Sequence, residues 1–116
     1  MRHEAFQIAP FHAELADAPD GTQCFWLKPG QFRIRVAWWK AGEKGTVVLL
    51  PGRTECVEKY GRAARDFVTR GYSVITLDWR GQGLADRPLT DRHAGHVGDF
   101  SEYQQDLEAV LAEAER

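Results

Sequence analysis

The sequence predicts an α/β fold: a β-hairpin, then a parallel strand–helix–strand unit and a further helix, in a mostly parallel and incomplete sheet. Three observations predict it. Residues 32–38 alternate between large apolar and other side chains. Thr46–Leu50 and Ser73–Leu77 are short, uncharged and rich in β-branched residues. An amphipathic stretch lies between those two runs. A period of two marks a strand with one face covered. An unbroken apolar run suits a strand buried on both faces, as in a parallel sheet. Spacing near 3.6 marks a helix.

The first 22 residues, through Pro19-Asp20-Gly21, carry turn signals and weak periodicity. They read as an arm that packs on something else or is mobile, and residues 23–116 as the domain. Gln23–Lys28 and Phe32–Lys40 flank Pro29-Gly30. Phe32, Ile34, Val36 and Trp38 alternate with Arg33, Arg35 and Ala37, which predicts an antiparallel hairpin. Ala41–Gly45 is a polar turn. Thr46–Leu50 follows and ends at Pro51-Gly52. From Val57 to Arg70 an apolar stripe of Val57, Tyr60, Ala63, Ala64, Phe67 and Val68 predicts a helix, with Gly71 placed for a left-handed end. Ser73–Leu77, closed by Asp78, is the second buried strand, and the 46–78 unit should cross over right-handed. Residues 79–98 are rich in glycine. Asp99 precedes Glu102 by three, an N-cap with its reciprocal acid, and Phe100, Tyr103, Leu107, Val110, Leu111 and Ala114 follow at helical spacing.

The composition narrows the function. Fifteen Lys and Arg against seventeen Asp and Glu give a net charge of −2, which argues against nucleic acid as a partner. No apolar run approaches the ~20 residues needed to span a bilayer, and Met1–Pro10 lacks the apolar core of a secretory signal. With Cys24 and Cys56 unpaired in spacing, a reduced, cytoplasmic chain is expected.

Several segments could carry chemistry. Pro51-Gly52-Arg53-Thr54-Glu55 follows a buried strand and precedes a helix, so its backbone N–H groups could cradle an anion or oxyanion. An ordinary βα turn would read the same way. Gly81 and Gly83 invite a dinucleotide motif, but Asp86 stands where its last glycine belongs. A tight turn fits better there, with Asp78 or Arg80 bonding neighbouring backbone or each other. Cys56 would sit in a first helical turn, where the dipole lowers a thiol pKa, with His93 or His96 as a base. A small buried cysteine is the commoner case. His93-x-x-His96 with Asp91 and Asp99 lacks a helix and a defined third ligand. No metal and no cofactor are expected. The two serines, Ser73 and Ser101, lie in no G-x-S-x-G elbow, so no complete Ser-His-Asp machinery is expected within these residues.

Val47–Arg53 (VVLLPGR), Glu55, Lys59-Tyr60, Gly71–Val74 (GYSV), Asp78–Gly83 (DWRGQG), His93–Val97 (HAGHV) and Phe100–Asp106 (FSEYQQD) occur in a fixed order. This set, from about Gly45 to Val110, resembles the N-terminal part of the α/β-hydrolase superfamily. Within it, the nearest group is the L2-like lysophospholipases and monoacylglycerol lipases, which share a serine aminopeptidase-type domain. The resemblance implies hydrolysis of a lipid carboxylic ester through an acyl-serine, with peripheral membrane contact through the substrate. It implies that the Arg53 backbone N–H, in the turn at Gly52, is an oxyanion donor, and that the Asp78–Gly83 turn is structural. Pro51 stands where the family usually has histidine, and Ala85 where it usually has serine. By the family's sheet order the strand at 46–50 would be a bare edge. That suggests a second reading, a non-catalytic fragment or module that completes its sheet by self-association or with another chain. The length is about half of what this fold needs, so the resemblance also implies a truncated chain that holds none of the nucleophile, acid and base.

Overall fold

A computed structural model describes residues 7–52, 55–86 and 100–115, with Phe100 described in its backbone alone. Strands β1 (Gln23–Leu27) and β2 (Ile34–Trp39) form the expected hairpin, with Phe25 opposite Val36. Gly30 in the connection takes φ +85°, a conformation open to glycine. β3 (Thr46–Leu49) and β4 (Ser73–Asp78) follow, and the sheet order is β1-β2-β4-β3.

Of the pairings in this sheet, β1–β2 and β2–β4 are antiparallel and β3–β4 is parallel. The sheet is therefore mixed rather than mostly parallel. A helical crossover separates only β3 from β4, whereas the short Pro29-Gly30 link forces the chain to reverse. The crossover begins as a 3₁₀ turn over Val57–Tyr60 and continues as α2 (Gly61–Thr69), where the sequence predicted one helix from Val57 to Arg70. Its end closes as predicted on Gly71. The Tyr72 N–H donates to the Phe67 carbonyl and the Gly71 N–H to that of Val68, both at 3.0 Å, with Gly71 at φ +98°.

Both faces of the sheet are covered. On one, Phe25, Leu27, Ile34, Val36, Trp38, Ile75 and Leu77 pack with Val110 of α3 (Phe100–Ala114). On the other, Ala37, Trp39 and Val74 pack with Val57 and Ala64. Every residue of β2 and β4 is buried. β3 is the edge strand instead: Thr46 is exposed and the other three residues are half-buried. In α3 the buried positions include Asp106, Val110 and Glu113, whereas Leu111 of the expected stripe is 40% exposed. Asp99, the expected N-cap, lies outside the described residues.

Residues 7–18 lie on this body. Ile8 bridges Phe25, and a single helical turn, α1 (Ala13–Ala16), packs beside the 3₁₀ turn. The His12 N–H donates to the Glu58 carboxylate at 2.9 Å.

Candidate functional site

β3 and β4 run parallel, so the turns that follow them leave the same end of the sheet, where α/β folds hold ligands. In the turn after β3, Pro51 is buried and its carbonyl accepts the Trp79 indole N–H at 2.9 Å. Gly52 is exposed. Its N–H donates to Glu55 Oε1 at 2.6 Å, and the Glu55 N–H returns to the Gly52 carbonyl at 3.4 Å. Two more donors meet the Glu55 carboxylate at 2.5 Å, Lys59 Nζ and the Tyr60 hydroxyl. The hydrogen bonds from Lys59, Tyr60 and the Gly52 N–H pull the Glu55 pKa down to about 2. Arg53, the expected oxyanion donor, lies outside the described residues, as do His93, His96, Asp91 and Asp99.

The turn after β4 is closed on itself. The Asp78 carboxylate is fully buried and accepts three donors at 2.8 Å: Arg35 Nε, the Leu84 N–H and the Val57 N–H. Gly83 takes φ +51°, and a Cβ there would come within 2.3 Å of the Asp78 carboxyl group. Glycine is required at this point because the carboxylate occupies the side-chain space. Arg80 does not bond Asp78. Its guanidinium reaches across to α3 and pairs with Asp106, Nη2 to Oδ1 at 2.9 Å and Nε to Oδ1 at 3.1 Å. Asp86 closes the loop by accepting the Arg33 N–H at 2.8 Å.

Arg35 alternates with the apolar residues of β2, yet it is only 1% exposed. Its Nη1 and Nη2 donate to Glu58 at 2.8 and 2.6 Å, Nη1 also donates to the Pro10 carbonyl, and Nε donates to Asp78. Burial opposes ionisation of Glu58, but its bonds from Arg35 and the His12 N–H outweigh that and lower its pKa. One guanidinium thus joins β2, β4, the 3₁₀ turn and the N-terminal segment.

The thiol reading fails on electrostatics. Cys56 precedes the 3₁₀ turn as its N-cap, and burial raises its pKa instead of the helix lowering it. Cys24 is buried, with its thiol pushed up to about 12 by desolvation and its Sγ–H donating to the Pro10 carbonyl. Ser73 opens β4 and spends its hydroxyl locally, accepting from the Ala41 and Gly42 N–H groups and donating to the Gly42 carbonyl. Among the described residues no group of three His, Cys, Asp or Glu could hold a metal ion, and no helix is long and apolar enough to cross a membrane.

A family model described as serine aminopeptidase, S33, matches residues 41–116. The chain belongs to this α/β-hydrolase family. It is 46% identical over 63 residues to lysophospholipase L2 of Escherichia coli, a stretch covering 54% of this chain and 18% of that enzyme. It is 34% identical over 65 residues to the probable lysophospholipase L2 of Haemophilus influenzae, covering 56% and 20%. The match thus spans about a fifth of these curated relatives. Among solved structures, a soluble variant of monoglyceride lipase from Saccharomyces cerevisiae superposes with a TM-score of 0.61 at 19% identity, over 91% of this chain and 34% of that one. A thioesterase domain from the curacin biosynthetic pathway superposes at 0.65 and 19% identity, over 81% and 33%. At such identities the likeness is one of fold, and an incomplete α/β-hydrolase fold is what the four-stranded sheet displays.

Proposed function

We propose that this chain supplies the oxyanion side of a carboxylic ester hydrolase acting on lysophospholipids or monoacylglycerols. One observation carries the reading. An exposed Gly52 turn stands at the carboxyl end of parallel β3, within a member of a hydrolase family whose curated relatives are lysophospholipases. In this mechanism a serine from outside these residues attacks the ester carbonyl carbon. The carbonyl oxygen becomes an oxyanion and accepts the Arg53 backbone N–H. A base, also from outside these residues, takes the serine proton and gives it to the departing glycerol-side oxygen. Collapse thus expels glycerol or its phosphodiester and leaves an acyl-serine, and water then releases the fatty acid. One such donor is worth roughly 10²–10³ in rate. The enzyme would work in the cytoplasm and meet the membrane only through its substrate.

The test has two arms. The 116-residue chain alone should neither turn over a p-nitrophenyl ester nor take up a fluorophosphonate label at Ser73 or Ser101. Fused in place of the matched stretch of the E. coli enzyme, it should support hydrolysis of lysophosphatidylcholine. A folded fusion that binds fluorophosphonate but cannot hydrolyse the lipid would sink the proposal.

Among the described residues β3 pairs on one side alone, which favours a second reading, in which another chain completes the sheet. Leu50 just beyond it is 49% exposed. Concentration-dependent association in sedimentation would support that reading, and a monodisperse monomer would argue against it.

A further inference from the structure

The sequence holds Gly52, Glu55, Lys59 and Tyr60 at offsets of three, four and five from the glutamate, and the fold closes all four on one carboxylate. We infer that Glu55 is a positioning residue: its carboxylate takes up the Gly52 N–H and so fixes the start of the turn to which the proposed oxyanion donor belongs. The inference rests on the proposed ester chemistry for the meaning of that donor, and on the structure for the pin itself.

The geometry carries it. The Gly52–Glu55 pair is reciprocal, side chain to backbone N–H and backbone N–H to carbonyl, which is the logic of a capping box applied to a βα turn. A carboxylate with one donor could swing. This one also accepts from Tyr60 and Lys59, which fixes its direction and its charge. A Cβ at Gly52 would stand 3.1 Å from Glu55 Oε1, so the carboxylate lies directly against the glycine. The far end of the segment is anchored separately, since Asp78 holds the Val57 N–H. Gly52 and Val57 are thus each held by a carboxylate, and groups held in advance reorganise less when a ligand arrives.

Amide spectroscopy on the ¹⁵N-labelled full chain tests this. In Glu55→Ala the Gly52 amide proton should move to lower shift and exchange faster by about tenfold, the loss of one hydrogen bond. Glu55→Gln should restore most of the shift, because its amide oxygen can accept the same N–H. Val74 and Ile75 amides in β4 report that the sheet is intact. An unchanged Gly52 amide in Glu55→Ala, with β4 intact, overturns the inference. If that variant does not fold, Tyr60→Phe decides: a smaller displacement of Gly52 in the same direction supports the pin, and none overturns it. Failure of the lipid fusion with a responsive Gly52 would remove the ester reading and leave the pin standing.

Discussion

The two turns at the carboxyl end of β3 and β4 are each governed by one carboxylate, but in opposite surroundings. Asp78 is fully buried, and the turn it commands satisfies its own backbone: Gly81 N–H to Asp86, Gln82 N–H to Trp79, Ala85 N–H to Gln82 and Asp86 N–H to Arg33. Glu55 acts locally, on a turn whose glycine faces solvent. The first arrangement consumes its donors in holding the molecule together. The second spends the Gly52 N–H on one nearby carboxylate, at a glycine that stays exposed. A glycine-rich turn beside a strand is therefore not itself a sign of binding; what counts is whether its N–H groups are already spoken for.

Removing each carboxylate should break the comparison most clearly. Asp78→Ala strips the buried Arg35 of a partner and orphans the Val57 and Leu84 N–H groups. Losing one member of such a buried network costs about 3–5 kcal/mol, a large part of a typical stability of roughly 5–15 kcal/mol. Urea unfolding followed by tryptophan fluorescence should show a much lower midpoint for Asp78→Ala and one near that of the parent chain for Glu55→Ala. Equal losses would dissolve the division between a structural and a functional turn.

Substitution of the glycines sharpens the same contrast on a smaller scale. Gly83→Ala must accept φ +51° and drive a methyl group into the Asp78 carboxyl at 2.3 Å. Together these should destabilise by about 2–3 kcal/mol. Gly52→Ala meets only the Glu55 carboxylate, at 3.1 Å, a contact that a shift of a few tenths of an ångström relieves, and Gly52 is not at positive φ. Its melting temperature should stay close to that of the parent, whereas Gly83→Ala should melt clearly lower.

The contrast was partly legible beforehand. The strands, the crossover and the Gly71 helix end follow from local patterning, and all lie within a residue or two of their predicted places. The tight turn at Asp78–Gly83 was legible from its glycines, with Asp78 or Arg80 expected to bond neighbouring backbone, and Asp78 does hold the Leu84 N–H. Its other two partners were not legible, because Arg35 and Val57 lie 43 and 21 residues away. The burial of Arg35 was not legible from alternation alone, because β2 lies between two covered faces. For β3 the two readings differed: its apolar run suits a strand buried on both faces, whereas the family's sheet order put it at an edge, and the edge is where it lies among the described strands. Glu55 had a usable local signal, the Gly-x-x-Glu spacing of a reciprocal turn, though its convergence with Lys59 and Tyr60 needed the fold.

The smallest expected effect is a titration confined to the exposed turn. The Glu55 pKa lies at about 2 in the fold against an ordinary 4.5. A carboxyl group depressed on folding contributes its full support above the ordinary value and loses it as pH falls through the folded value. The Gly52 amide shift should therefore hold steady from neutral pH to about 4, where an ordinary glutamate would already be half protonated, and depart only as pH nears 2. In Glu55→Gln the same amide should show no such acid step, because that side chain has no proton to gain. A step near 4.5 in the parent chain would mean that Lys59 and Tyr60 do not hold the carboxylate in solution. The Gly52 turn would then be looser than its hydrogen bonds imply.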